Sequence, residues 1–277
     1  MALEEQDFLY VSKMVREESA IVLEKGKEYL VESRLSPLAQ QDGYASIKEM
    51  VQKLRETGEL VLKLKIVDAL TTNETSFFRD LKPFEMLQKE LLPELIEKRK
   101  DQKRLEIWCA AASTGQEIYT ICMTIRENFP WLRDWNVRIL GTDINQEVLD
   151  KARRGVYSQI EVNRGLPATM LIKYFEKSGI DWKIKDDLKS MTEFRKMNLI
   201  KPWGSVGRPD VIFMRNVLIY FDTDTKKEIL GKVRNIMQPD GFLFLGAAET
   251  TLNLDENYVR RTYDRGGCYT LKGKDAK

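Results

Sequence analysis

A chain of 277 residues, 43% hydrophobic and 32% charged, is long enough to bury a large core and has the composition of a soluble globular protein. Its 45 basic and 43 acidic side chains leave a net charge of only +2, too little for a broad electrostatic footprint on nucleic acid. The absence of histidine excludes Ser-His-Asp and Cys-His catalysis and every zinc site built on imidazole.

The start, MALEEQDFLY, is acidic and lacks the basic-then-apolar order of a signal peptide. No apolar run approaches the ~18–20 residues that a membrane span needs. Residues 3 to about 70 read as helices only, because FLYVSKMVREESAIVL and LKLKIVDAL place apolar residues at helical spacing. Ser36-Pro37, Asp42-Gly43 and Thr57-Gly58 read as turns between short helices. LKPFEMLQKELLPELIEKRKDQ, 81–102, predicts a long linker helix that tolerates Pro93.

After residue 103 the pattern changes. RLEIWCA and NVRILGTD are buried strands, each followed by a helical segment, GQEIYTICMTIRENF and NQEVLDKARRG. PDVIFMRN, GFLFLGAAE and GCYTLK supply further strands, with the helix DTKKEILGKVRNIM between the first two. Strands alternating with helices predict a parallel sheet covered on both faces. The stretch 156–200 interrupts it with a helix, PATMLIKYFEKSG, and two alternating runs, DWKIK and MTEFRKM, and is expected to be a small antiparallel excursion. The boundaries expected are therefore 1–80 for a helical domain, 81–102 for a linker and 103–277 for an α/β domain. Cys109, Cys122 and Cys268 lack disulfide or zinc spacing, so reduced thiols, no metal and a cytoplasmic location are expected.

Three motifs bear on chemistry. TTNETSFFRD, 71–80, combines cap-forming residues with a Phe pair and Arg79-Asp80. Locally it reads as a helix stop and a core-filling loop, with Arg79 paired to Asp80 on the surface. EIWCAAASTGQE is a strand, a turn of small residues ending at Gly115, and a helix, the arrangement that brings a ligand close to backbone N–H groups. RILGTDI ends the next strand on Asp143, placed to accept from both ribose hydroxyls of a nucleoside cofactor. Ala111 and Ala112 stand where a pyrophosphate site has glycines, which favours a cofactor without phosphates, S-adenosylmethionine. Glu117 either offsets the helix dipole or faces the ligand.

TNETSFFRD, WCAAASTGQEIYT, GTDINQEVLDKARRGVYS, MRNVLIYFD and LFLGAAET occur in the order, and near the spacing, of the chemotaxis receptor glutamate O-methyltransferases, and the chain resembles this CheR family from about residue 10 to 272. GQEIY departs from the usual GEEPY but keeps Glu117. The resemblance implies a helical N-terminal domain, then a Rossmann-like S-adenosylmethionine-dependent methyltransferase domain carrying a small antiparallel β-subdomain. It implies that Asn73, Thr75 and Arg79 contact the cofactor, Glu117 its ammonium and Asp143 its ribose. Asn198 and Leu199 match the adenine side, and Arg215 and Asn216 the methionine side. Arg79 and Tyr220 are the expected catalytic residues, orienting the acceptor, although Arg79 could instead hold the cofactor carboxylate.

The partners implied are the cytoplasmic helices of chemoreceptors, with S-adenosylhomocysteine as product, no nucleic acid, no embedding in the membrane and a monomer as the expected state. Two alternatives stay open: a methyltransferase of a small molecule or RNA, and a catalytically silent cofactor-binding interaction module. Some family members bind a receptor tail peptide through a glycine-containing loop of the β-subdomain. The short KSGID here predicts independence from that tail, with Lys25, Lys27 and Arg34 as candidates for direct docking.

Overall fold

A computed structural model describes residues 3–264 and 266–273, and these fall into two compact units. One runs up to Thr72 and takes in Tyr220–Thr225; the other comprises Asn73–Ile219 and the chain from Lys226 onward. Among the described residues no helix is long and apolar enough to cross a membrane.

The first unit has four helices, Glu5–Ser19, Glu28–Gln41, Ile47–Thr57 and Leu60–Leu70. Each turns an apolar stripe inward, burying Val11, Val15, Val31, Leu35, Met50, Leu54 and Ile66. Full burial of such a side chain contributes roughly 1.5–3 kcal/mol. Ser36-Pro37 is not the turn its sequence predicts, since Pro37 lies inside the second helix. A proline there costs about 3 kcal/mol, and burial of Val31, Leu35 and Ala39 along the same helix outweighs it. Ser46 caps the third helix by accepting from Glu49 N at 3.2 Å.

Arg34 is committed to the end of the fourth helix, donating to Leu70 O at 2.8 Å, Thr71 O at 2.9 Å and Thr72 Oγ1 at 3.0 Å. It satisfies carbonyls that a helix end leaves without partners and is not a free docking cation. Lys25 and Lys27 are paired with Glu5 at 2.9 Å and Glu24 at 3.2 Å.

The second unit is built on a seven-stranded sheet. Its strands are β1 Arg104–Ala110, β2 Asn136–Asp143, β6 Thr192–Lys196, β7 Val211–Met214, β8 Phe242–Leu245, β9 Tyr258–Tyr263 and β10 Gly266–Leu271. A second sheet holds β3 Val156–Tyr157, β4 Phe175–Ser178 and β5 Asp181–Ile184. The large sheet runs β6-β2-β1-β7-β8-β10-β9, parallel through β8, with β10 antiparallel to both its neighbours. The small one runs β3-β5-β4 and is antiparallel. This is the predicted α/β class with its antiparallel insertion.

Three local expectations change. MTEFRKM is not part of the insertion: its residues form β6, the parallel edge strand beside β2. PATMLIKYFEKSG is helical only over Ala168–Tyr174, and FEKS continues as β4, paired with β5 across a Gly179-Ile180 turn. The segment 81–102 does not bridge two domains. It packs Phe84, Leu87, Leu91, Leu92 and Leu95 into the core of the sheet unit, with Phe84 stacked on Phe213 at 5.9 Å. Pro93 cannot donate to the carbonyl one turn back, and the helix opens into a π turn over Leu87–Leu91 before resuming at Leu92–Arg99.

Candidate active site

In an open sheet of this kind ligands bind outside the carboxyl ends of the parallel strands, where the strand order reverses. Here the reversal lies between β1 and β7, and Ala110, Asp143 and Met214 end β1, β2 and β7.

After β1 the chain turns through Ala111 and Ser113 with φ of 58° and 50°, the left-handed region that side chains avoid. Two contacts hold that turn. Ala112 N donates to Thr142 O at 2.9 Å, and Ser113 N donates to Asp143 Oδ2 at 2.8 Å. Asp143 Oδ1 accepts from Asn145 N at 3.0 Å, so one carboxylate ties the two strand-end loops together. Asp143 is therefore buried and does not face solvent as a bare acceptor. Burial pushes its carboxyl up from the ordinary value, against the N–H groups of Asn145, Ser113 and Ile144, which pull it down. Met197 N donates to Asp143 O at 2.8 Å, which sets Asn198 and Leu199 immediately beside this acid. Asn198 Oδ1 accepts from Ile200 N, and Leu199 O from Trp203 Nε1 at 3.0 Å.

The helix Gln116–Asn128 opens with Glu117, whose Oε2 lies 2.6 Å from Arg215 Nη1. Arg215, the first residue after β7, is buried and reaches on with Nη2 to Asp80 Oδ2 at 2.6 Å and Arg79 O at 3.0 Å. Burial raises the Glu117 carboxyl above its usual range, Arg215 and Arg79 oppose the rise, and the nearby Glu249 adds to it. Arg79 does not pair with Asp80. Its guanidinium donates only to Glu74 O, at 3.2 Å, among the described contacts.

The segment 73–81 is pinned along its length. Ser113 Oγ donates to Asn73 O at 2.7 Å, Arg164 pairs with Glu74, and Phe78 N donates to Thr120 Oγ1 at 3.1 Å. Phe77 is fully buried, edge-on to Tyr157 at 5.2 Å and Phe175 at 5.7 Å. Phe78, Asp80 and Leu81 all have positive φ. Thr75 is half-buried on the same segment. The core-filling part of the local reading holds, with Phe77 buried and Phe78 packed against the same core, while the expected Arg79–Asp80 pair is replaced by contacts of Arg79 O and Asp80 Oδ2 with Arg215.

Asn73, Thr75, Arg79, Glu117, Asp143, Asn198, Leu199, Arg215 and Asn216 thus all lie in the sheet unit; Asn73 and Arg79 are tied to the strand-end residues through Ser113 and Arg215, and Asn198 and Leu199 follow β6 next to Asp143. Tyr220 falls in the helical unit, half-buried at the end of the short turn Leu218–Tyr220, where its carbonyl accepts from Val22 N at 3.2 Å. Glu249 was not foreseen from sequence. Its carboxylate accepts from four backbone N–H groups, those of Asn216, Val217, Ile219 and Gly246.

The donor set fits an S-adenosylmethionine. Arg215 Nε is a buried donor with no hydrogen-bond partner, which a ligand carboxylate would satisfy. Asp143 supplies an acid beside a turn of small residues, suited to a ribose.

Comparison with known proteins adds a second line. Residues 73–264 match the family described as CheR methyltransferase, SAM binding domain, and residues 6–71 match CheR methyltransferase, all-alpha domain. The chain is 41% identical to chemotaxis protein methyltransferase 1 of Pseudomonas aeruginosa, covering 98% of this chain and 100% of that one. It is 38% identical to chemotaxis protein methyltransferase Cher2 of Pseudomonas putida, over 96% and 98%. Identity to the chemotaxis protein methyltransferase of Vibrio parahaemolyticus is 37%, over 98% and 99%.

Proposed function

Because this chain belongs to the CheR methyltransferase family, an S-adenosylmethionine-dependent methylating enzyme of chemotaxis, we propose that its acceptors are glutamate side chains on the cytoplasmic helices of chemoreceptors. The observation that carries this reading is the convergence of Glu117 and Asp80 on Arg215 after β7, with Asp143 ending β2, all within the motifs by which the chain resembles the family.

Bound there, S-adenosylmethionine would supply a sulfonium methyl, whose transfer leaves the C–S electron pair on sulfur. Asp143 takes the ribose hydroxyls and Asn198 and Leu199 flank the adenine. Glu117 pairs with the ammonium, while Arg215, Asn216, Asn73 and Thr75 surround the amino-acid end. A glutamate acceptor has a reference pKa of ~4.3 and is ionised at neutral pH, so no general base is needed. A chain without histidine is chemically sufficient. What the protein provides is alignment, which can lower a barrier by up to ~7–11 kcal/mol. Arg79, whose guanidinium makes one hydrogen bond among the described residues, to Glu74 O, is assigned to orient the acceptor carboxylate. Tyr220 keeps the role that the family resemblance implies.

Receptor helices reach this enzyme from the cytoplasm, where buried, unpaired Cys109, Cys122 and Cys268 would stay reduced. Incubation with methyl-labelled cofactor and receptor-rich membranes tests the proposal. Base-labile label on receptor is the expected result. Label on RNA or small molecules, or cofactor binding without transfer, would overturn it.

A further inference from the structure

Glu249 lies 33 residues beyond Asn216 and has no place among the ligand contacts assigned above, yet it is bound more completely than any of them. Oε2 accepts from Asn216 N at 2.8 Å and Gly246 N at 2.6 Å; Oε1 accepts from Val217 N at 2.9 Å and Ile219 N at 3.3 Å. Gly246 directly follows β8 and Asn216 lies two residues after the end of β7, so one carboxylate clasps the ends of two neighbouring parallel strands. Asn216 is held at φ 58°, in the left-handed region that asparagine adopts more readily than most residues with a side chain. The clasp leaves no room at Gly246. A Cβ there would sit 2.7 Å from Glu249 Oε2 and from Asn216 Nδ2, and 2.8 Å from Asn216 N.

We infer that Glu249 is a positioning residue for the amino-acid end of the cofactor, acting through Asn216 and the adjoining Arg215. An anion that collects four N–H groups fixes the backbone of 216–219, and with it the direction of the Asn216 side chain. Gly246 is part of the same device, since any side chain there breaks the clasp. The inference rests on the cofactor reading proposed above.

Calorimetric titration of the full-length protein with two ligands tests it: S-adenosylhomocysteine, and 5′-methylthioadenosine, which keeps the nucleoside and sulfur but lacks the amino acid. In Glu249→Gln an amide NH2 replaces one oxygen and cannot accept from its pair of N–H groups. Affinity for S-adenosylhomocysteine should fall at least tenfold, while that for 5′-methylthioadenosine changes less than twofold. Gly246→Ala should show the same selective loss, and the double variant should be no more than about twofold worse than the poorer single one. Either variant decides the question if the other fails to fold. Equal loss for both ligands, full retention of S-adenosylhomocysteine affinity, or additive losses in the double variant would overturn the inference. Failure of the wild-type protein to bind S-adenosylhomocysteine would overturn the cofactor reading and this inference with it.

Discussion

At the scale of single residues, the site separates groups that hold the protein together from groups that are spare. Asp143 belongs to the first kind as well as being the proposed ribose acceptor, because its two oxygens join the loops after β1 and β2. Removing a charged acceptor from buried N–H donors costs on the order of 1.5–3 kcal/mol. Asp143→Ala is therefore expected to lower stability in urea by about that much and to weaken S-adenosylhomocysteine binding. Asp143→Asn, which keeps one acceptor, should lose less of both. Unchanged denaturation in the alanine variant would show that the acid does not tie the loops. Arg79 is the opposite case, with a single described contact to a carbonyl at its guanidinium. Arg79→Ala should cost no more than about 1 kcal/mol, as for an exposed polar pair. Methyl transfer should nevertheless collapse in the folded variant, measured as labelled methyl on receptor. Full transfer would leave Arg79 a bystander.

At the scale of elements, the strand-turn-helix of β1 and Gln116–Asn128 and the acid ending β2 are legible in sequence, because apolar runs and strand-end polar residues are local signals. The segments misread are those whose state depends on distant partners. MTEFRKM alternates like an antiparallel edge, but its pairing with β2 is set by the crossover that precedes it. YVRRTY, which forms β9, has strand-favouring Tyr258, Val259, Thr262 and Tyr263 but carries the Arg260-Arg261 pair at its centre and shows no buried run, so its pattern does not read as a core strand. The role of Glu249 is not legible because three of its four partners are backbone groups some thirty residues upstream, which no side-chain spacing encodes. The segment 73–81 shows how elements cooperate: Gly165, in the β-subdomain insertion, lies so close to Phe77 O that a Cβ would collide with it. Gly165 also has φ +90°. Gly165→Ala should cost about 1–3 kcal/mol from overpacking and roughly 1–2 kcal/mol more from left-handed strain. Phe77→Ala, emptying the cluster with Tyr157 and Phe175, should cost about 3–5 kcal/mol. Denaturant midpoints at constant slope would check both, and a neutral Gly165→Ala would mean that the loop can move away from Phe77.

At the scale of the whole molecule, the question is how the enzyme would reach the receptor proposed as its acceptor. β4 and β5 close through a two-residue turn, Gly179-Ile180, with Ser178 opposite Asp181. From so short a turn we propose that this protein works without a tether to a receptor tail. Direct docking would then draw mostly on charges that already have partners. In the helical unit Lys25, Lys27, Lys48 and Lys65 are all in ion pairs, and Arg34 is spent on carbonyls. Exposed pairs contribute only about 0–1 kcal/mol each, so Lys25 and Lys27 can exchange Glu5 and Glu24 for receptor carboxylates at little cost and with little gain. Without a second attachment point the local concentration that a tether supplies is forgone. Binding should therefore be weak, and methylation should slow as added salt shortens the Debye length from ~10 Å at 0.1 M to ~3 Å at 1 M. Reversing both charges, Lys25→Glu with Lys27→Glu, should slow methylation at low salt and matter little at high salt. Receptors with and without their C-terminal tails should be methylated at equal rates, and a tail peptide titrated into the protein should release no heat at tens of micromolar. Micromolar binding of that peptide would place a tether site on this subdomain despite its short turn.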